Sequence, residues 1–219
     1  SLIFNTISKD KFIEDKKRGF KFPISSRNLD NDVENEVVEA LANSVTSKFG
    51  DLSHRYYKIK AEWFEVKQLN WWDRNAPLPK RAEKIWEWND AKILVLESFS
   101  ELSPKFSEIA EMFFDKNWID ARLKNDKDSG AFAHPTVPDV HPYILMNFNG
   151  KPRDVMTLAH ELGHGVHQFM AKDQGYFLSD TPLTLAETAS VFGEMLVFNK
   201  LLSKTKNYEE KKIMIAQKV

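Results

Sequence analysis

The sequence has 219 residues, of which 42% are hydrophobic and 16 are phenylalanine, so it is long enough to bury a sizeable core. Its formal net charge of −1 argues against a dedicated nucleic-acid surface or a patch that binds anionic membranes. The absence of cysteine excludes disulfides and favours a reducing compartment, and no apolar run could span a membrane, so we expect a cytoplasmic protein.

The first half of the chain has the apolar spacing of helices. The predicted helices cover residues 33–49, 52–64, 89–99 and 105–123. Gly50 ends the first of them, and Ser103 with Pro104 supplies an N-cap and a first-turn proline for the last. We therefore interpret residues 1–125 as a helical scaffold segment.

A short β element follows these helices. Residues 124–130 are polar and form the clearest loop of the chain. Two runs, 131–137 and 143–148, have the composition of short strands. The sequence thus predicts a mainly α fold with a short antiparallel β element before the next helix.

The most informative motif is H-E-x-x-H, formed by His160, Glu161 and His164. It lies inside a strong helical pattern with Asp154 as the expected N-cap and Gly175 as the next breaker. Two histidines four positions apart share one helix face and can reach one metal ion, and zinc suits such ligands. Glu161 is placed beside the metal, where it can accept a proton from a water molecule. Residues 126–219 are therefore the predicted zinc-binding catalytic segment.

A catalytic zinc site needs a third protein ligand from another part of the chain. The next predicted helix has Thr181 as N-cap and Pro182 as its first residue, and it carries Glu187 and Glu194 on one face. Apolar neighbours indicate that this helix is buried, where a carboxylate needs a partner. The spacing alone does not choose between the two glutamates.

His167 continues the histidine stripe by one more turn. The long metal motif with a third helical histidine would need it at position 170, which is Met170, so a metzincin is excluded. We expect His167 to contact a ligand of the metal or to pack beside the site.

Several segments together carry a family resemblance. The run HPYILMNFNGKPRDVMTLAHELGHGVH over 141–167 and the run SDTPLTLAETASVFGEM over 179–195 resemble the oligoendopeptidase F branch of the thimet oligopeptidase family. The similarity extends upstream through 52–63, 72–79 and 129–143, and so covers most of the chain.

The resemblance implies a zincin-like helical metallopeptidase that cuts short unfolded oligopeptides. It implies one zinc ion per chain, held by His160, His164 and Glu187, with Glu161 as general base. Glu194 would then contact one of the metal ligands or have a structural role, and would not bind the metal itself. The resemblance also implies that an edge strand binds the extended substrate, through residues Gly130, Ala131, Phe132, Ala133 and His134.

The sequence also departs from this family. Its members are far longer and supply histidine and tyrosine side chains past the zinc helices, whereas this chain stops at Val219. We therefore expect an internal fragment that is weakly active or inactive alone. Two alternatives stay open: a zinc-binding but catalytically silent fragment, and a helical interaction domain in which the motif is a coincidence. The sequence does not predict the oligomeric state.

Overall fold

The structure, a computed structural model, describes residues 1–78 and 85–218. The chain divides into two compact units, Ser1–Lys80 and Arg81–Val219. Both are mainly helical within the described residues, and the second also contains a small sheet, which confirms the predicted fold class. None of the described helices combines the length and the apolar character that crossing a membrane requires.

The first unit is built from four helices within its described residues. They are α1 (Leu2–Arg18), α2 (Ser25–Asp30), α3 (Asn35–Ser47) and α4 (Arg55–Trp63). The helices predicted over 33–49 and 52–64 correspond to α3 and α4, but Gly50 begins a π-helical turn, Gly50–His54, rather than a break. A 3-10 turn covers Trp71–Asn75, and position 79, the last of the 72–79 run that resembles the family, lies outside the described residues.

The second unit contains the H-E-x-x-H helix. Its helices are α5 (Trp88–Leu102), α6 (Pro104–Asp115), α7 (Pro152–Ala171), α8 (Leu183–Lys204) and α9 (Tyr208–Lys218), with a 3-10 turn at Lys172–Gln174. Its strands are β1 (Ile119–Asp120), β2 (Phe132–His134) and β3 (Tyr143–Leu145). The strand order is β1-β3-β2, in which β3 pairs parallel with β1 and antiparallel with β2.

The predicted helix over 105–123 was wrong in its C-terminal half. Asn117 adopts a left-handed conformation with φ of 56°, and the Trp118 N–H donates to the Phe113 carbonyl at 2.9 Å. Together with the Asn117 N–H bond to the Phe114 carbonyl, this is the hydrogen-bond pattern that closes a helix C-terminus. α6 therefore ends at Asp115, and the chain turns into β1.

α7 lies at the centre of the second unit. Its apolar face, which includes Leu158, Leu162 and Val166, is fully buried among side chains of α5, α6 and the sheet. α8 crosses α7 at very short range. A Cβ added to Gly163 would lie only 2.6 Å from the Ala189 carbonyl oxygen, which shows how close the two backbones are. This glycine lets the two backbones approach, and the approach positions the site described below.

The boundary between compact units falls at residue 80, whereas the sequence suggests a functional division after residue 125. The difference arises because α5 and α6 pack around α7: Phe99 and Phe113 are completely buried in the same core as the H-E-x-x-H helix. The division into scaffold and catalytic segments stays a prediction about the roles of those residues.

Candidate metal centre and cleft

His160 and His164 project from one face of α7 with their rings 4.9 Å apart. Glu187 extends from α8 toward both of them. Its Oε2 atom lies 3.3 Å from His160 Nε2 and 3.7 Å from His164 Nε2. Across the described residues, these three are the group that could hold a metal ion, with ligand atoms within 4.8 Å of one another.

The donor set fits zinc in both chemistry and spacing. Two imidazole nitrogens and one carboxylate oxygen are a ligand combination found in catalytic zinc sites. Zinc bonds of about 2.0–2.1 Å in tetrahedral geometry require ligand atoms roughly 3.3–3.5 Å apart. The two distances from Glu187 Oε2 are close to that requirement.

The position of Glu187 differs from the sequence-based expectation in one respect. Its side chain is 58% exposed, and Leu185 and Phe192 on the same helix are about half exposed, so this part of α8 is not buried as predicted. Glu187 is placed by specific contacts instead. The completely buried Ser190 hydroxyl lies 2.8 Å from Glu187 Oε2 and can donate to it. Sequence reasoning did not single out Ser190, although a serine three positions after a glutamate on a helix was a usable signal.

Glu194 contacts His160 on the side of the ring that faces away from Glu187. Glu194 Oε2 lies 3.3 Å from His160 Nδ1, so the two glutamates take the two ring nitrogens of one histidine. Lys218, on α9, donates to the other oxygen of Glu194 at 2.6 Å. No local pattern points to Lys218, because nothing in the spacing of residues relates α9 to the H-E-x-x-H motif.

Glu161 is only 6% exposed and lies between α7 and the sheet. Burial raises the pKa of its carboxyl group, and the neighbouring Glu187 adds to this. The charge of His160 and a hydrogen bond from the Ala133 backbone N–H lower the pKa and so partly oppose the shift. Burial also lowers the pKa of His164, which favours the neutral imidazole that a metal requires.

A cleft of about 360 Å³ opens over these side chains. Its walls come from α7, from α8, from the loop between them and from the segment around β2. The lining residues are Ala131, Phe132, Ala133, Pro135, His160, Glu161, His164, His167, Gln168, Ser179, Asp180, Thr181, Leu183, Ala186 and Glu187. His167 thus lies in the cleft wall, one turn beyond the candidate ligands.

Only part of the predicted substrate strand lines the cleft. β2 has only β3 beside it among the described strands, so it is an edge strand, and Ala131, Phe132 and Ala133 line the cleft. Gly130 and His134 lie outside that lining. His134 accepts a hydrogen bond from the Thr136 N–H through Nδ1 instead. The Ala133 carbonyl accepts a hydrogen bond from Gln168 at 3.2 Å, which ties the strand to α7.

Proteins of similar sequence match most of this chain with a part of their own length. Oligopeptidase PepF of Bacillus subtilis is 28% identical over 208 residues, which are 94% of this chain and 30% of that protein. The chromosomal oligoendopeptidase F of Lactococcus lactis subsp. cremoris is 29% identical over 161 residues, which are 73% of this chain and 26% of that protein. The chain therefore spans about a third or less of these relatives.

Solved structures have the same fold over the same extent. A protein from Chlamydophila abortus, described as a candidate peptidase, has a TM-score of 0.76 at 26% identity, covering 95% of this chain and 35% of its own. PZ peptidase A with inhibitor 2 has a TM-score of 0.80 at 20% identity, covering 97% of this chain and 38% of its own. The sequence profile of peptidase family M3 matches residues 16–219. The chain belongs to peptidase family M3.

Proposed function

We propose that this chain carries the zinc site and the general base of an endopeptidase that hydrolyses short unfolded peptides. The observation that supports this most is the convergence of His160, His164 and Glu187 beside a buried glutamate in one cleft. Family membership and the names of the relatives, oligopeptidase and oligoendopeptidase, agree with it.

In the proposed reaction, His160, His164 and Glu187 would hold one zinc ion, and the chemistry that such an ion would supply is polarisation of the scissile carbonyl and a lower pKa for a water molecule. Glu161 accepts the proton from that water and passes it to the leaving amine. The raised pKa of Glu161 suits this double role, since a general base works best with a pKa near the operating pH. Glu194 holds His160 from behind, so that Nε2 faces the cleft.

We further propose that the substrate peptide lies extended along β2. The cleft is open, and its walls include the three consecutive residues Ala131, Phe132 and Ala133 of the edge segment. Extended peptides bind by adding a strand to such an edge, which reads the backbone rather than particular side chains. Gly130 and His134 remain proposed contacts for a longer peptide. A cytoplasmic location stays a prediction.

The metal site is tested by ligand replacement. The purified protein should hold one zinc ion per chain, removable by a chelator. Replacing His160 and His164 together by alanine should abolish binding, and Glu187→Ala should weaken it sharply. Glu194→Ala is the matched control on the same helix and should lower affinity by roughly 10 to 100-fold, as expected for a residue that supports a ligand. If Glu194→Ala removes the metal and Glu187→Ala does not, the assignment of the third ligand is wrong.

Cleavage of a library of short peptides tests the reaction itself. Zinc binding with no detectable cleavage, by this chain or by a longer protein that contains it, would favour a catalytically silent chain, and absence of zinc would favour a helical interaction domain. Zinc-dependent cleavage that the histidine variants abolish would support the proposed endopeptidase.

A further inference from the structure

We propose that Lys218 is a positioning residue of the metal site. Its ammonium group holds the Glu194 carboxylate in the orientation that fixes the His160 imidazole. This inference rests on the metal site proposed above, and it adds α9 to the two helices that supply the candidate ligands.

The contacts form a continuous chain of three side chains. Lys218 Nζ lies 2.6 Å from Glu194 Oε1, and Glu194 Oε2 lies 3.3 Å from His160 Nδ1. All three side chains are largely shielded, with exposed fractions of 26% for Lys218, 20% for Glu194 and 26% for His160. Shielding matters because a charged pair exposed to solvent contributes little, whereas a shielded one is screened less.

Lys218 restricts a torsion that would otherwise be soft. The terminal torsion of a glutamate is broad, so a carboxylate with one partner can turn away from it. With Lys218 on Oε1 and His160 on Oε2, both oxygens are committed and the carboxylate plane is fixed. A carboxylate at Nδ1 favours the tautomer that carries its proton there, which leaves the Nε2 lone pair directed toward Glu187.

Lys218 also balances charge. Glu187 and Glu194 are both within 3.3 Å of His160, so two carboxylates approach one imidazole. Among the described residues, Lys218 is the cation that forms an ion pair with Glu194. Its positive charge offsets the repulsion between the two carboxylates. The start of α9 is capped independently of the site: Asn207 Oδ1 accepts hydrogen bonds from the Glu209 and Glu210 N–H groups.

The test is the zinc affinity of variants, measured by competition with a chromophoric chelator. Lys218→Met keeps the length of the side chain and removes the charge, and it should weaken zinc binding by roughly 10 to 100-fold. Lys218→Arg should restore most of the affinity, because a guanidinium can also pair with Oε1. Lys211→Met is the matched control on the same helix, since Lys211 has no ion-pair partner among the described residues, and it should bind zinc as the original protein does.

Two further measurements separate positioning from folding. The metal-free Lys218→Met protein should keep the far-ultraviolet circular dichroism of the original protein, and the visible spectrum of its Co²⁺-substituted form should shift as the imidazole loses its orientation. In a Glu194→Gln background, Lys218→Met should cause no additional loss of affinity, because its effect passes through that carboxylate.

The outcomes are distinguishable. A protein that binds no zinc overturns the proposed metal site itself. If the protein binds zinc and Lys218→Met binds it equally well, only the role of Lys218 is overturned. A full additional loss in the Glu194→Gln background would likewise overturn it, because the lysine would then act by another route.

Discussion

At the scale of single residues, Glu161 has the most unusual surroundings of the site. It is almost fully buried beside a second carboxylate, yet its proposed role requires the ionised form. Burial disfavours that form in the absence of a metal. Whenever Glu161 is charged, it therefore destabilises the metal-free fold. A site that needs a base with a raised pKa accepts this cost.

Replacing Glu161 by glutamine should therefore separate function from stability. The glutamine retains an oxygen that can accept from Ala133 but cannot take a proton from water, so zinc should remain bound while peptide cleavage is lost. Cleavage is compared in a longer protein that contains this chain, where the reaction is measurable. Loss of zinc in this variant, or unchanged cleavage there, would contradict the assigned role.

The same variant has a pH signature in the metal-free protein. Because the folded pKa of Glu161 is raised, its stabilising contribution is complete below the ordinary pKa of glutamic acid and is lost as pH rises through the folded value. Glu161→Gln has no such loss, so it should gain stability relative to the original protein over that window, by about 1.4 kcal/mol per unit of pKa shift. Denaturant unfolding at several pH values measures the difference.

How far single residues could be predicted depends on how local their partners are. His160, Glu161 and His164 follow from the helical period alone, and the structure places them on one helix beside a cleft. The choice between Glu187 and Glu194 needs the crossing of α7 and α8, which no spacing specifies. Lys218 is further removed, because its relation to Glu194 depends on where a third helix packs.

At the scale of elements, the crossing of α7 and α8 governs the site. A Cβ at Gly163 would meet the Ala189 carbonyl oxygen at 2.6 Å and the Ser190 Cα atom at 2.7 Å, and backbone atoms cannot move aside as side chains do. Gly163, inside H-E-x-x-H, thus determines how close the Glu187 carboxylate comes to the two histidines, because Glu187 lies on α8 just before Ala189 and Ser190.

Gly163→Ala should push the helices apart. We expect a loss of stability of about 1–3 kcal/mol from overpacking and a clear fall in zinc affinity, since Glu187 would no longer reach both histidines. Gly193→Ala is the control in the same helix pair. There the nearest atoms, the Ala159 carbonyl oxygen and the Phe99 ring, are 3.2 Å from the added Cβ, so both effects should be smaller. Unfolding and chelator competition measure them, and equal zinc affinity in Gly163→Ala and the original protein would contradict this account.

Other elements show where periodicity fails. The apolar pattern after Ser103 continues past the true helix end, because Trp118 and Ile119 are needed in the core as much as the helical residues are. Only the left-handed Asn117 marks the stop, and asparagine is a weaker sign of a helix end than glycine. The strands of the sheet are likewise shorter than their apolar runs, since β2 pairs with β3 over three residues.

At the scale of the whole molecule, zinc should act as a stabilising ligand. A metal that binds only the folded state adds about 2.7 kcal/mol of stability when its free concentration is 100 times its dissociation constant. For a chain of this size, that corresponds to a rise of roughly 5–10 °C in the melting temperature of the unit that holds the ligands. The chain in which alanine replaces both His160 and His164 should show no such rise, and a rise of the same size in that variant would place the metal elsewhere.

The close pairing of α7 and α8 also bears on the order in which the molecule assembles. All three candidate ligands come from consecutive helices, and Glu187 follows His160 by only 27 positions. The chain entropy lost in closing a loop grows only as the logarithm of its length, and closing a short one is fast. The ligand cluster is therefore a local contact in the sense of contact order, as is the pairing of Ile119 in β1 with Ile144 in β3. A nascent chain that has emerged as far as the end of α8 already carries all three candidate ligands, whereas Lys218 joins them only when α9 follows.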